Sequence, residues 1–170
     1  RLDTTAPNVT VGQVQLSHDT APNGAAGTAL NADFVTRTSA QTITAQLSAA
    51  LDANTETLFG SLNDGRNWTD LSPYLSGTQL NWTGVTLSGR NTLRLKVTDK
   101  AGNDATPFIQ VYEADLTAPT NFVKTAALST DTGANNSSNS DFITSQATQD
   151  LSGTLEFNLQ PGEGVFVSLN

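Results

Sequence analysis

Apolar and polar residues alternate with a period of two through most of this chain, a pattern that predicts strands rather than helices. Ile43, Ala45, Leu47, Ala49 and Leu51 fall on one side of a run whose other side is Thr44, Gln46, Ser48 and Ala50. Leu93, Leu95 and Val97 alternate with Thr92, Arg94, Lys96 and Thr98. Leu151, Gly153, Leu155, Phe157 and Leu159 repeat the first pattern 108 positions later (151 − 43). Val9 and Val11 have the opposite parity to Val14 and Leu16 across Gly12-Gln13, which predicts a bulge or a strand that changes sheet. Turn residues separate the runs. Asp64-Gly65, inside Asn63–Arg66, suits a tight hairpin between a strand ending at Leu62 and one containing Trp68. Lys100–Asn103 separates the Leu93–Val97 strand from one at Phe108–Tyr112. Strands are expected near 8–16, 33–37, 41–51, 56–62, 67–71, 79–87, 91–98 and 106–113. Their number and the short turns between them predict an all-β fold, an antiparallel immunoglobulin-like sandwich.

The chain also repeats itself. Asp3-Thr4-Thr5-Ala6-Pro7 returns as Asp115-Leu116-Thr117-Ala118-Pro119, 112 positions later (115 − 3). Behind it, Leu16–Thr20 matches Leu128–Thr132, Asp33–Thr36 matches Asp141–Thr144, and Leu58–Asn63 matches Val165–Asn170. Ordered landmarks at a fixed period are the mark of a tandem array, and 112 residues is the size of a small domain. The expected organisation is a complete repeat over 1–114 and the N-terminal half of a second over 115–170. Arg1 is no initiator, so the chain reads as a piece of something longer. The half-repeat would be completed by residues following Asn170, or would pair with another chain. Proline at 7 and 119 fixes the backbone and disfavours helix at the preceding alanine, giving an extended, stiff connector.

Charge sharpens the picture. The formal net charge is −8, and 12 of the 16 acidic residues are aspartate, many in turn-like contexts. About a third of the chain is Thr, Ser or Asn. Such a surface suits β structure and repels nucleic acid and anionic membranes. Aspartates gathered in loops at repeat boundaries point instead to a hard cation, since Ca²⁺ takes six to eight oxygens. There are no cysteines, hence no disulfides. In an extracellular all-β protein, that fits export unfolded and locking by something else.

The motif order is Asp-x-Thr-Ala-Pro, then Leu-Ser-x-Asp-Thr-Gly, then Asp-Phe-Ile-Thr as at 141–144, then Val-x-Leu-Asn with a Gly-x-x-Trp hairpin, then Val97-Thr-Asp-Lys-Ala-Gly-Asn103. It resembles the bacterial immunoglobulin-like repeats of giant surface adhesins and biofilm-associated proteins exported by type I secretion. The resemblance covers essentially the whole chain. It implies a Ca²⁺-rigidified extracellular stalk at the bacterial cell surface, serving adhesion or biofilm formation. Partners would be neighbouring repeats of the same chain, and host or abiotic surfaces reached through other regions, with no membrane insertion in this segment. Leu128–Gly133 fits the motif well, whereas repeat one has Ala21-Pro22 after Thr20 and four extra residues before Asp33.

Asp115, Asp131 and Asp141 are expected to share the junction between repeats as calcium ligands. The closing strand runs away from the 99–103 turn by about 8 residues, some 25 Å. Asp3, Asp19, Asp33, Asp99 and Asp104 are therefore expected to cluster at the opposite, upstream pole. The competing explanation for any one of them is an Asx turn or a strand-end cap. His18 is the only histidine, which leaves no material for a histidine-based metal site or a Ser-His-Asp triad. No paired carboxylates or phosphate-binding glycine loop are visible either, so an enzyme is not expected. The alternative function is a carbohydrate-binding sandwich using Trp68 and Trp82 as an aromatic platform, a reading that burial of the two rings would weaken.

Overall fold

The computed structural model describes residues 2–20, 32–132, 140–161 and 163–169. The Ala21-Pro22 departure and Gly133 of the Leu-Ser-x-Asp-Thr-Gly motif lie outside them. The chain forms two compact units, Arg1–Thr117 and Ala118–Asn170.

Among its described residues, unit 1 holds nine strands: β1 (Val11–Leu16), β2 (Val35–Thr36), β3 (Ala40–Leu47), β4 (Glu56–Ser61), β5 (Thr69–Asp70), β6 (Leu75–Ser76), β7 (Gln79–Thr86), β8 (Gly89–Asp99) and β9 (Phe108–Ala114). They make two sheets, ordered β1-β3-β7-β6 and β2-β9-β8-β4-β5. All pairings are antiparallel except β2 with β9, where Val35 stands opposite Glu113 and Thr36 opposite Ala114. Alternation along each strand sends one set of side chains inward. Ile43, Ala45 and Leu47 of β3 and Leu80, Trp82 and Val85 of β7 meet Leu58 of β4 and Leu93, Leu95 and Val97 of β8 in a single core.

Local departures from regular strand are paid out where the sequence signals them. The β1–β3 register shifts between Gly12 and Gln15, and Gln13 sits at φ 49°, so the parity change at Gly12-Gln13 is a bulge. Asp64 and Gly65 both take positive φ, 59° and 82°, as a type I′ turn requires. The strands they join pair only from Gly60 and Thr69 outward, so the turn caps a wider loop instead of closing a two-residue hairpin. The strand expected to reach Leu51 stops at Leu47 and gives way to an exposed turn. The short 3₁₀ turn at Ser72–Tyr74 and strand β6 carried no sequence signal. Gly60 has a packing role, because a Cβ there would come within 2.7 Å of the Trp82 ring and 2.8 Å of Leu71.

Unit 2 contains β10 (Val123–Leu128) and β11 (Leu151–Leu155), paired antiparallel with Leu128 opposite Leu151. Most of its large apolar side chains, including Phe122, Leu151, Phe157, Val165 and Phe166, are exposed, while Leu128 and Leu155 are half-buried. Among the described residues, no helix is long and apolar enough to cross a membrane.

Candidate functional site

The loop after β1 and the approach to β3 are tied together by one buried amide. Gln41 Oε1 accepts from the His18 N–H (2.9 Å) and Ser17 Oγ (3.2 Å). Its Nε2 donates to Thr38 O (2.7 Å), His18 O (3.1 Å) and Thr36 Oγ1 (3.2 Å). Next to this hub, Asp19 Oδ2 accepts the Phe34 N–H at 3.0 Å, and Asp33 Oδ1 accepts the Val35 N–H at 2.9 Å. Phe34 lies between them at φ 63°, a left-handed conformation that a bulky residue adopts only when its surroundings impose it.

Unit 2 builds the same arrangement from its own residues. Gln149 Oε1 accepts from the Thr130 N–H (2.8 Å) and Ser129 Oγ (3.1 Å), and Nε2 donates to Thr130 O, Thr144 Oγ1 and Gln146 O. Asp131 Oδ2 accepts the Phe142 N–H at 2.9 Å, Asp141 Oδ1 accepts the Ile143 N–H at 2.9 Å, and Phe142 sits at φ 64°. The offset is 112 for Ser17 to Ser129 and Asp19 to Asp131, and 108 for Asp33 to Asp141 and Gln41 to Gln149. These are the offsets seen in the sequence motifs.

In each unit one oxygen of the pair has nothing to bond. Asp19 Oδ1 and Asp131 Oδ1 are both buried atoms without a hydrogen-bond partner. A buried carboxylate oxygen left unsatisfied is costly. Burial pushes the Asp19 carboxyl above its ordinary value, the Phe34 N–H pulls it down, and the nearby Asp33 carboxylate adds a further upward push.

The pole assignments need correction. Asp19 and Asp33 do not join Asp3, Asp99 and Asp104. Strand β2 pairs in parallel with the end of β9, and the Asp115 N–H donates to Thr36 O at 2.9 Å. Asp19 and Asp33 therefore belong to the end where the chain leaves unit 1, beside the backbone of Asp115. At the other end Asn103 Nδ2 donates to Asp3 O at 3.3 Å. The expectation placed the 99–103 turn and Asp3 together, which holds, but it treated all early loops as upstream. A six-residue strand such as β1 carries the chain about 20 Å to the opposite pole before Asp19. By the same geometry Asp131 and Asp141 sit beyond the C-terminal end of β10, about 20 Å along the strand from where it starts.

Asp3, Asp99, Asp104 and Asp115 have other employment. Asp3 Oδ1 accepts the Thr5 N–H at 3.1 Å and Asp115 Oδ1 accepts the Thr117 N–H at 2.9 Å, the local turns of the two Asp-x-Thr-Ala-Pro motifs. Asp99 accepts from the Asn103 side chain and from the Ala101 and Asn103 N–H groups, all at 2.8 Å, and the Asn103 amide foremost holds its carboxyl below the usual range. Asp104 meets Lys96 Nζ at 2.7 Å and Thr98 Oγ1 at 2.6 Å, with the same downward direction. Among the described residues no three His, Cys, Asp or Glu side chains converge as a metal-holding group. The acidic side chains meet at most in pairs, and a cation there would need main-chain or water oxygens as well.

The tryptophans do not form a platform. Trp82 is buried in the core, and Trp68, partly exposed, has Lys96 Nζ 4.6 Å from its ring centroid. His18 is an exposed loop residue whose Nδ1 lies 2.9 Å from Ser17 Oγ. The Gln41 and Gln149 hubs were missed by sequence reasoning. The signal was present, because the 108-residue offset that aligns Ile43 with Leu151 also aligns Gln41 with Gln149. Comparison with family models, curated proteins and solved structures finds no match to this chain.

Proposed function

We propose that this chain is a structural and adhesive segment of a bacterial extracellular stalk, made of immunoglobulin-like sandwiches in series and stiffened by Ca²⁺. The observation that carries the reading is the duplicated loop. Two units reproduce the same glutamine hub, the same left-handed phenylalanine and the same aspartate pair, each with one buried, unpartnered oxygen. A structure repeated at this level of detail is what serial modules need, and the motif order resembles the bacterial surface repeats described above.

Asp19 with Asp33, and Asp131 with Asp141, are the residues that would hold the ion. Two carboxylates about 4 Å apart repel by about 4 kcal/mol at an effective dielectric of 20. A divalent cation turns that repulsion into attraction and satisfies the orphaned oxygen, with carbonyls and water completing the six to eight ligands. Asp3, Asp99 and Asp104 act in this reading as turn and strand-end acceptors. Asp115 fixes the connector, whose backbone is anchored on Thr36 beside the Asp19–Asp33 loop. Extracellular modules bind Ca²⁺ with dissociation constants of roughly 10⁻⁴–10⁻³ M, so the loops would fill outside the cell and empty in the cytosol. Burial of Trp82, which leaves Trp68 alone at the surface beneath Lys96, favours this role over carbohydrate binding on a tryptophan platform.

Thermal unfolding across 0–10 mM Ca²⁺, against EDTA, tests the proposal. At 100-fold excess over the dissociation constant each site adds about 2.7 kcal/mol. A melting temperature indifferent to Ca²⁺ refutes the metal role.

A further inference from the structure

Strands β1, β3, β7 and β6 of unit 1 turn a polar, uncharged set of side chains outward, and their register lines these up in two rows across the sheet. Gln15 stands opposite Thr44, and Thr44 opposite Asn81. Two residues along, Gln46 stands opposite Gln79, and Gln79 opposite Ser76. Neighbours within a row are about 4.8 Å apart, and the rows are about 7 Å apart. The same strands bury Leu16, Ile43, Ala45, Leu47, Leu80 and Trp82 on their inner side. At the β1 lip the bulge adds Gln13, an exposed residue held at φ 49°, a conformation that costs energy and persists only where its surroundings impose it. At the β6 lip stands Tyr74, on the 3₁₀ turn. Its N–H donates to Leu71 O at 2.9 Å, and Leu71 is fully buried. Between the lips lies an open groove of about 470 Å³. That falls within the range of about 300–1,000 Å³ typical of ligand sites.

We propose that this groove binds an uncharged oligosaccharide. Three observations select that ligand. The first is charge: no Asp, Glu, Lys, Arg or His lines the groove, in a chain of net charge −8. It offers no countercharge to a metal ion, a phosphate or a charged peptide. The second is polarity, because sites for apolar ligands are lined mostly by hydrophobic side chains and this one by amides and hydroxyls. A side-chain amide both donates and accepts, as does each hydroxyl of a sugar, so the two are matched in chemistry and in density. Among the described residues, the amides of Gln13, Gln15, Gln79 and Asn81 and the Tyr74 hydroxyl have no hydrogen-bond partner. Gln46 Nε2 donates to Thr78 Oγ1 at 2.5 Å, which fixes that amide and leaves its Oε1 as an acceptor. The third is the Tyr74 ring, half-buried against the core and so held as a wall on which the C–H face of a pyranose can lie. Trp68 has no part in this groove, since it meets Lys96 of β8 in the other sheet. The proposal rests on the adhesive part of the functional reading above and not on its metal.

The experiment is a titration of the ¹⁵N-labelled 170-residue chain with neutral hexasaccharides of glucose, mannose and N-acetylglucosamine. All measurements are made in EDTA, so failure of the calcium reading leaves the outcome unaffected. At least one sugar is expected to bind with a dissociation constant of about 1 mM or tighter. It should shift the side-chain amide resonances of Gln15, Gln46, Gln79 and Asn81 and leave that of the buried Gln41 in place. Gln79→Ala and Asn81→Ala, both at exposed positions, should each weaken binding about three- to tenfold without moving the unfolding midpoint. Tyr74→Ala should weaken it about tenfold, and Tyr74→Phe, which keeps the ring, should retain most of it. Trp68→Ala should leave binding unchanged. No shift of those amides at millimolar sugar overturns the proposal. So does parent-like binding by the Gln79→Ala, Asn81→Ala double variant, or loss of binding in Trp68→Ala alone, because the ligand then sits elsewhere.

Discussion

Replacing Gln41 by leucine tests whether the buried amide, and not the strands around it, holds the loop of unit 1 in place. The residue is 4% exposed, and its amide lies within hydrogen-bond distance of five groups, two donating to Oε1 and three sharing the two N–H donors of Nε2. Leucine has a similar volume, so the change creates little cavity. The Ser17 and Thr36 hydroxyls can find other partners, and Thr36 Oγ1 already donates to His18 O at 2.5 Å. The His18 N–H and the Thr38 carbonyl lose their side-chain partner. Two such groups at about 1–1.5 kcal/mol each give a loss of about 2–3 kcal/mol. Urea unfolding followed by the fluorescence of Trp82 and Trp68 should report an earlier midpoint with an unchanged slope. The melting temperature should drop by about 10–15 °C. Gln149→Leu, in a hub that is only half-buried, should cost less than half as much. A loss below about 1 kcal/mol for Gln41→Leu would mean water replaces the amide, and the hub would then be ornament.

Three further outcomes are expected. Gly60→Ala should destabilise unit 1 by about 1–3 kcal/mol in thermal unfolding, because the new methyl meets Trp82 and Leu71 inside contact distance. Tyr112→Phe should cost about 1 kcal/mol by removing the hydroxyl that donates to Leu62 O at 2.8 Å, read by urea titration. Asp19→Asn should change sign with metal. Because the folded-state value of Asp19 is raised, the metal-free protein loses stability as pH rises from the ordinary carboxylate range through that raised value, and the loss persists at neutral pH. The amide removes that penalty, so in EDTA at pH 7 the variant should be at least as stable as the parent, whereas in Ca²⁺ it should be less stable. Melting curves in both buffers decide it, and destabilisation of equal size in both would refute the ligand role.

The strands of unit 1 were legible because two-residue alternation and Gly- or Asp-centred turns act locally. The bulge at Gly12-Gln13 and the strands near Leu93–Val97 and Phe108–Tyr112 follow from such signals. Strand β6 was hidden because Leu75-Ser76 is too short to show a period. The placement of Asp19 and Asp33 was not legible, since it depends on the parallel contact of Val35–Thr36 with Glu113–Ala114, a pairing across 78 residues (113 − 35) that no local pattern encodes. The hubs were half-legible. Gln41 and Gln149 share the parity of Ile43 and Leu151, so alternation puts a polar residue on the inward face, but no local pattern names the loop groups it bonds.

The β2–β9 contact has a mechanical consequence. Thr10 exchanges hydrogen bonds with Ser48 at one pole of unit 1, and Asp115 leaves from the other. Tension applied between these points runs along β1 and β9, while their ladder bonds to β3, β8 and β2 lie across it. The bonds are then loaded together in shear and must rupture as a group, whereas a hairpin pulled from its open end peels one bond at a time. The short parallel pair doubles the grip on the last strand, at the point where the pull would enter.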